Sequence, residues 1–324
     1  MHGTVAEREA VGRGARAATP RGAHAEQPEP DPARDPVGLL AGQAAHRLPD
    51  LVPVRHGRML ASPFAFFRGS AAVMAADLAR TPSSGLTVQL CGDAHVANFG
   101  MFGSPERRQV FDLNDFDETY PGPWEWDVKR LLTSVEIAGR HRGMRPKDRL
   151  TAVRAGGEAY RTAMTQFAAM GDLEVWYASL DSQALLDRLD GHLRPHAVRE
   201  VESSVRRMTT RDRFQAQGKL TAVVEGERRI VHQPPLIVPI EHLTADPEVL
   251  AGQVDQVRRL LAEYPRTLSP GHEHLVAQYS YQHVARKVVG VGSVGARAWM
   301  VLLVNARSRL HGWVCAFEVA CRGV

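Results

Sequence analysis

Long hydrophobic runs are missing from this chain. No stretch approaches the roughly 18 consecutive apolar residues a membrane helix needs, and the N-terminus lacks the apolar segment of a signal peptide. Cysteine is scarce: Cys91, Cys315 and Cys321 stand alone, and none forms a Cys-x-x-Cys pair. That excludes a disulfide framework and points to a reducing cytoplasm. An excess of one charge is missing too, since 40 Lys and Arg against 36 Asp and Glu leave only +4. Aromatics make up 6%, without the interleaving of rings and bases that single-strand binders use. Nothing here asks for nucleic acid or a membrane. Residues 1–36 contain no Leu, Ile, Phe, Trp or Tyr. Such a segment buries too little apolar area to offset its ordering entropy, so a disordered tail is expected.

What remains is ordinary for a globular protein: 324 residues, 44% hydrophobic and 23% charged. Folded sequence is expected from Val37, in two lobes with real cores. The first, 37–210, reads as mostly helical with one β-hairpin. The second, 211–304, reads as partly β, and 305–324 as a divergent tail.

The informative stretch is Cys91-Gly92-Asp93-Ala94-His95-Val96-Ala97-Asn98-Phe99-Gly100, followed by Val110-Phe111-Asp112-Leu113-Asn114-Asp115-Phe116-Asp117-Glu118. Two apolar runs each end in a dense set of carboxylate, amide and imidazole groups, which are costly to place in a core. Gly103-Ser104-Pro105 marks a turn between them, giving strand, turn, strand. Closure near Pro105 would set Asn98 opposite Asp112, with Cβ atoms roughly 5 Å apart. A Mg²⁺ ion could then lie between the two side chains. A one-residue slip would undo that pairing.

Asp93-x-x-x-x-Asn98 repeats the Asp-to-Asn interval of a kinase catalytic loop, where the Asp receives the proton of the attacking hydroxyl. The Asn and a later Asp there hold Mg²⁺. Asp93 is therefore the candidate general base, His95 its support, and Asn98 and Asp112 the metal ligands. Asp115 is a further candidate ligand, Asp117 is open, and Glu118 belongs to the acidic rim of a turn. Hard oxygen donors suit Mg²⁺, and ATP is the implied phosphoryl donor. Against this stands a structural reading, in which Asp and Asn in a Gly-rich loop form turns and caps. An EF-hand fails on its Gly and Glu offsets. Gly-Asp-x-His also begins binuclear metallophosphoesterase sites, but none of the 14 His follows Asn in an Asn-His-Glu or Asn-His-Asp. His272 and His274 sit in a polar linker.

Helical spacing sets Trp124, Val128, Leu131, Val135 and Ala138 on one face after Pro123, and Leu150, Val153, Tyr160, Met164 and Phe167 on another. Both are expected to be core. Helices are also expected over 172–190, 193–208 and 247–264, with a hairpin about Glu225-Gly226. Arg68, beside Phe64, Phe66 and Phe67, is a buried salt-bridge partner or a phosphate clamp, with the structural role ahead. Gly290-Val291-Gly292-Ser293-Val294-Gly295 lies between β-prone runs. Strand, glycines, strand is the shape of a phosphate-covering kinase loop and equally of a tight hairpin.

Gly92-Asp93-x-His95-x-x-Asn98 resembles the Gly-Asp-x-His-x-x-Asn loop of aminoglycoside phosphotransferases, choline kinases and related small-molecule kinases. Gly122-Pro123-Trp124-Glu125-Trp126-Asp127 resembles their downstream element, in which an Asp opens a helix and braces the catalytic loop. The resemblance implies an α+β fold with a protein-kinase-like two-lobed core, an ATP and Mg²⁺ requirement, and a small-molecule or protein hydroxyl substrate. Gly290, Gly292 and Gly295 would contact nucleotide. They follow the catalytic loop instead of preceding it, which a circular permutation would reconcile.

Met59–Gly69, Gly92–Gly100, Phe111–Glu118, Gly122–Asp127 and Lys287–Arg297 together closely resemble bacterial domain-of-unknown-function family 2252, over roughly 55–304. That resemblance implies a name and no biochemical role. Members resembling this chain continue after the glycine hairpin into a Lys-Glu-Ala strand and a helical region. Here no Lys follows Lys287. A truncated or frameshifted product is expected, with 305–324 poorly packed, the sheet lacking its next strand after Val304, and activity impaired.

Overall fold

The computed structural model describes residues 4–26, 28–29, 31–104, 106, 108–189, 195–210, 218–288, 290–305 and 318–320. The fold is mixed α+β, with small antiparallel sheets. It divides into two compact units. Unit one takes the chain up to Ala45 and from His56 to Met208, and unit two takes His46–Arg55 and the chain from Thr209 onward.

Unit one begins with α1 (Val5–Ala18) and α2 (Pro36–Ala44). A helix, not a disordered tail, therefore occupies Val5–Ala18. Thr4 Oγ1 accepts from the Glu7 N–H at 3.3 Å while the Glu7 carboxylate accepts from the Thr4 N–H at 2.6 Å, a reciprocal cap. The segment buries none of α1. Its polar side chains attach it instead: the Thr19 hydroxyl donates to Ser83 O at 2.9 Å, and Arg34 grips Asp77 at 2.7 and 2.8 Å. Composition excluded a core, not a helix.

After α3 (Val52–Leu60), Ser62 caps α4 (Pro63–Gly69), which passes through Ser70 into α5 (Ala71–Leu78). Then β1 (Thr87–Leu90) pairs with β4 (Tyr120–Pro123), and between them β2 (Phe99–Gly103) and β3 (Gln109–Leu113) form the expected hairpin. Two helices follow, α6 (Glu125–His141) and α7 (Pro146–Ala168). The α7 stripe expected to be core is not: α7 buries no residue, and Leu150, Met164 and Phe167 are exposed. Tyr160 alone of that stripe stacks on an aromatic partner, Trp124, at 5.7 Å. The stretch expected as one helix over 172–190 is two, α8 (Asp172–Tyr177) and α9 (Ser182–Leu189), before α10 (Pro195–Thr210). The break lets Leu180 O receive the Phe111 N–H at 2.7 Å and Asp181 pair with Arg108 at 2.8 Å. The hairpin thus gains a support along its β3 edge.

Unit two is built on a four-stranded antiparallel sheet of β7 (Ile237–Pro239), β8 (Tyr279–Lys287), β9 (Ala298–Asn305) and β10 (Glu318–Ala320), in the order β10-β9-β8-β7. A separate hairpin, β5 (Thr221–Val224) and β6 (Glu227–Ile230), turns at Glu225 and Gly226, both at positive φ. Because side chains alternate along a strand, Met300 and Leu302 enter a cluster with Ile230, Ile237 and Ala285. Val301 and Leu303 point the other way, to Val284, Ile240 and the apolar stripe of α11 (Pro247–Glu263). With both faces covered, β9 reads as an unbroken apolar run. The strand does have a further neighbour, since Glu318 pairs with Met300 and Ala320 with Ala298. Residues 306–317 and 321–324, on which most of the expectation about the tail falls, lie outside the described residues. His272 and His274 lie on a short helix, α12 (Pro270–Val276), not a linker. Among the described residues no helix is long and apolar enough to cross a membrane.

Candidate functional site

Between β1 and the β2–β3 hairpin runs the loop from Cys91 to Asn98. Gly92 sits at φ +82°, and a Cβ there would overlap the carbonyl oxygen of Glu118. Only glycine fits. One face of α6 then holds the loop at successive points. The Asp127 carboxylate accepts from the N–H of Cys91 at 2.7 Å and of Gly92 at 3.0 Å. Three residues on, the Arg130 guanidinium pairs with the Asp93 carboxylate, its Nε at 2.8 Å. Four further on, the Ser134 hydroxyl accepts from the Val96 N–H at 3.0 Å. Residues three and four apart share a helix face, so Asp127, Arg130 and Ser134 form one polar strip along α6. Asp127 takes the bracing position that the resemblance to small-molecule kinases implied.

Asp93 and His95 are brought together. His95 Nε2 lies 3.5 Å from the second carboxylate oxygen of Asp93. Burial works to raise the Asp93 carboxyl. The hydrogen bond from His95 and the positive charge of Arg130 outweigh it and hold the group below the ordinary range. Arg130 is itself buried, with the Phe67 ring 4.4 Å from its guanidinium carbon and its NH2 donating to Phe67 O at 2.9 Å. His95 is buried as well, with the edge-on ring of Phe64 at 6.3 Å. Asp127 moves the other way: burial pushes its carboxyl up, against the two backbone N–H groups it binds and the nearby Arg130.

Asn98 does not stand opposite Asp112. The register pairs Gly100 with Asp112 and Phe99 with Leu113, and Asn98 O accepts from the Asn114 N–H at 2.9 Å. The turn is the reason. Ser104 N–H donates to Arg108 O at 2.8 Å, so the hairpin closes about position 106, one residue beyond the expected centre, and every cross-strand partner moves by two. Pro105 itself lies outside the described residues. Asp112 is left exposed, one oxygen accepting from the Leu113 N–H at 2.8 Å. Asn98 is buried, its amide nitrogen 3.2 Å from Asp93 O and 3.1 Å from Asp115 O. The residue brought to Asn98 is thus Asp115, whose exposed carboxylate accepts from the Asp117 N–H at 3.1 Å in an Asx turn. Among the described residues no group of three or more His, Cys, Asp or Glu is arranged to hold a metal ion.

The glycine run belongs to unit two. Gly290 (φ +61°) is exposed, Gly292 partly buried, and Gly295 (φ +89°) buried. A Cβ on Gly295 would come 3.0 Å from Arg47 Cβ. Arg47 donates to Val294 O at 2.7 Å and Leu48 N–H to Gly295 O at 2.9 Å, while Val294 packs with Leu51 and Val288. Packing therefore accounts for Gly295.

Arg130 and Ser134 were missed by sequence reasoning. Their signal was present: Asp127, Arg130 and Ser134 recur at helical spacing beside the apolar stripe of α6. A polar strip on a helix that also carries an apolar one reads as solvated until a loop is placed against it.

No curated protein and no solved structure matches the chain. The profile of the DUF2252 family, described as an uncharacterized protein conserved in bacteria, matches residues 47–314, from Arg47 through the loop, the hairpin, α6 and the glycine run. With most of its length matched in this way, the chain belongs to the DUF2252 family.

Proposed function

We propose that this chain is a cytoplasmic, magnesium-dependent phosphotransferase that moves a phosphoryl group from ATP to a hydroxyl of a small molecule or protein. The polar strip of α6 carries the reading. It fixes Asp93 on the loop that carries Asn98. Asn98 in turn lies against the backbone carbonyl of Asp115, so base, amide and carboxylate follow one another along the chain in the order of kinase-type sites. Asp93 would accept the proton of the attacking hydroxyl while its oxygen bonds to the γ-phosphorus. The bond to the β–γ bridging oxygen breaks, and ADP leaves. A carboxylate held below its ordinary range is a weak base, which suits a loose transition state that needs positioning more than proton abstraction. Magnesium in its usual protein role takes one or two carboxylates, with the remaining ligands from phosphate and water. Asp115 and the amide oxygen of Asn98 would hold the ion, which supplies charge neutralisation at the phosphates. A circularly permuted kinase-like core belongs to this reading, with Gly290 and Gly292 as candidates for nucleotide contact.

One observation favours a second reading, a non-catalytic binding protein: the Asp93 carboxylate is already paired with a buried arginine. Calorimetry with Mg-ATP separates the possibilities. Binding lost in Asp115→Ala, with phosphoryl transfer to any hydroxyl acceptor, supports the enzyme. Binding without turnover supports the second reading, and a folded chain that binds no nucleotide sinks the first.

A further inference from the structure

We propose that Arg68 is an anion-binding residue of the Asp93 site, receiving a phosphate oxyanion next to His95; the inference rests on the phosphoryl-transfer reading above. On α4, Phe67 supports Arg130 through both its carbonyl and its ring, and Phe64 meets His95. Arg68 follows Phe64 by one turn, so it shares that strip of the helix surface. Among the described residues Arg68 makes no ion pair and no hydrogen bond, and its Nε is sealed from solvent. The salt-bridge role expected for it is absent among those residues. A guanidinium with its inner N–H withdrawn from water and no acceptor is costly, and an arriving oxyanion removes that cost. The planar fork matches phosphate geometry.

His95 supplies an independent sign of a missing ligand. It is 5% exposed, and its Nδ1 is sealed and unpartnered. With Nε2 toward Asp93, a neutral His95 carries the proton on Nε2 and presents Nδ1 as an acceptor. The unpaired donor of Arg68 lies one turn along α4 from Phe64, whose ring meets the His95 that carries the unpaired acceptor. A phosphate oxygen for the first and a ligand hydroxyl for the second satisfy them together. The ligand class is a phosphate-bearing molecule, with the phosphate either the nucleotide's or the acceptor's own.

The test is calorimetry on the full chain with Mg-ATP and, separately, inorganic phosphate, comparing wild type, Arg68→Met and Arg68→Lys. Met keeps the length and removes a half-buried charge, so folding is expected to be retained, and circular dichroism verifies it. Loss of a charge-assisted bidentate contact predicts weakening of about tenfold or more in Arg68→Met, with partial retention in Arg68→Lys. Weakening for both probes assigns the oxyanion to the nucleotide, and weakening for inorganic phosphate alone assigns it to the acceptor. Inorganic phosphate bound through Arg68 without any Mg-ATP binding supports this site and sinks the kinase reading. Mg-ATP binding abolished by Asp115→Ala, with binding of both probes untouched in Arg68→Met, overturns this proposal alone. A folded wild type that binds neither probe overturns both.

Discussion

Arg130 places its Nε 2.8 Å from a carboxylate oxygen of Asp93 while being only 2% exposed itself. Removing one partner of such a pair leaves the other charge buried and uncompensated. Arg130→Met is expected to cost about 3–5 kcal/mol. The double variant Asp93→Asn/Arg130→Met should cost clearly less than the sum of the singles. Urea unfolding of the four proteins measures this, and strict additivity would show that the pair is not coupled.

Asp127 binds two consecutive backbone N–H groups. Loss of two bonds to a charged acceptor in Asp127→Ala is expected to destabilise by about 3 kcal/mol. Amide exchange should accelerate first at Cys91 and Gly92, ahead of the rest of β1. Uniform acceleration across unit one would mean that Asp127 supports the fold generally and not this loop.

Gly92 combines a left-handed backbone with a Cβ position filled by the Glu118 carbonyl. Gly92→Ala should therefore cost more than the roughly 1 kcal/mol of left-handed strain alone, and should shift the NMR signals of Glu118 and Thr119. Gly226→Ala, with positive φ but open space around it, is the control and should show the strain alone. Equal losses at the two sites contradict the overlap argument.

Burial pushes the Cys91 thiol up to about 11. A thiol whose folded value lies above its unfolded one contributes stability that is complete below about pH 8.5. That contribution is lost as pH rises toward the folded value. Wild type should lose stability relative to Cys91→Ala between those limits and show no relative change from pH 6 to 8. Native Cys91 should also resist alkylation at pH 8, as read by peptide mass mapping, and label rapidly in urea. Fast native labelling would place the thiol in a different environment.

Much of the loop was legible because chemistry forced it into view: Asp93, His95 and Asn98 between apolar runs have few structural uses at that spacing. The hairpin was legible as well, but not its register, which a single hydrogen bond between Ser104 and Arg108 settles. With that register Asn98 faces Asn114 instead of Asp112, and its side-chain amide reaches the Asp115 carbonyl. The α7 stripe failed for another reason. Periodicity at Leu150, Met164 and Phe167 reveals an apolar face but not whether anything covers it. At the N-terminus the absence of large apolar residues was read as disorder, whereas Thr4 and Glu7 had the spacing of a reciprocal cap.

The segment His46–Arg55 joins unit two, although all of His56–Met208 is synthesised before the rest of that unit. Leu51 waits for Val288 and Val294, its partners in a buried cluster. At ribosomal speeds of about 5–20 residues per second, that wait is on the order of ten to fifty seconds. Unit one can collapse on the ribosome as its strands and helices emerge. The short segment between its two parts must keep Leu51 out of that collapse until Val288 and Val294 have emerged.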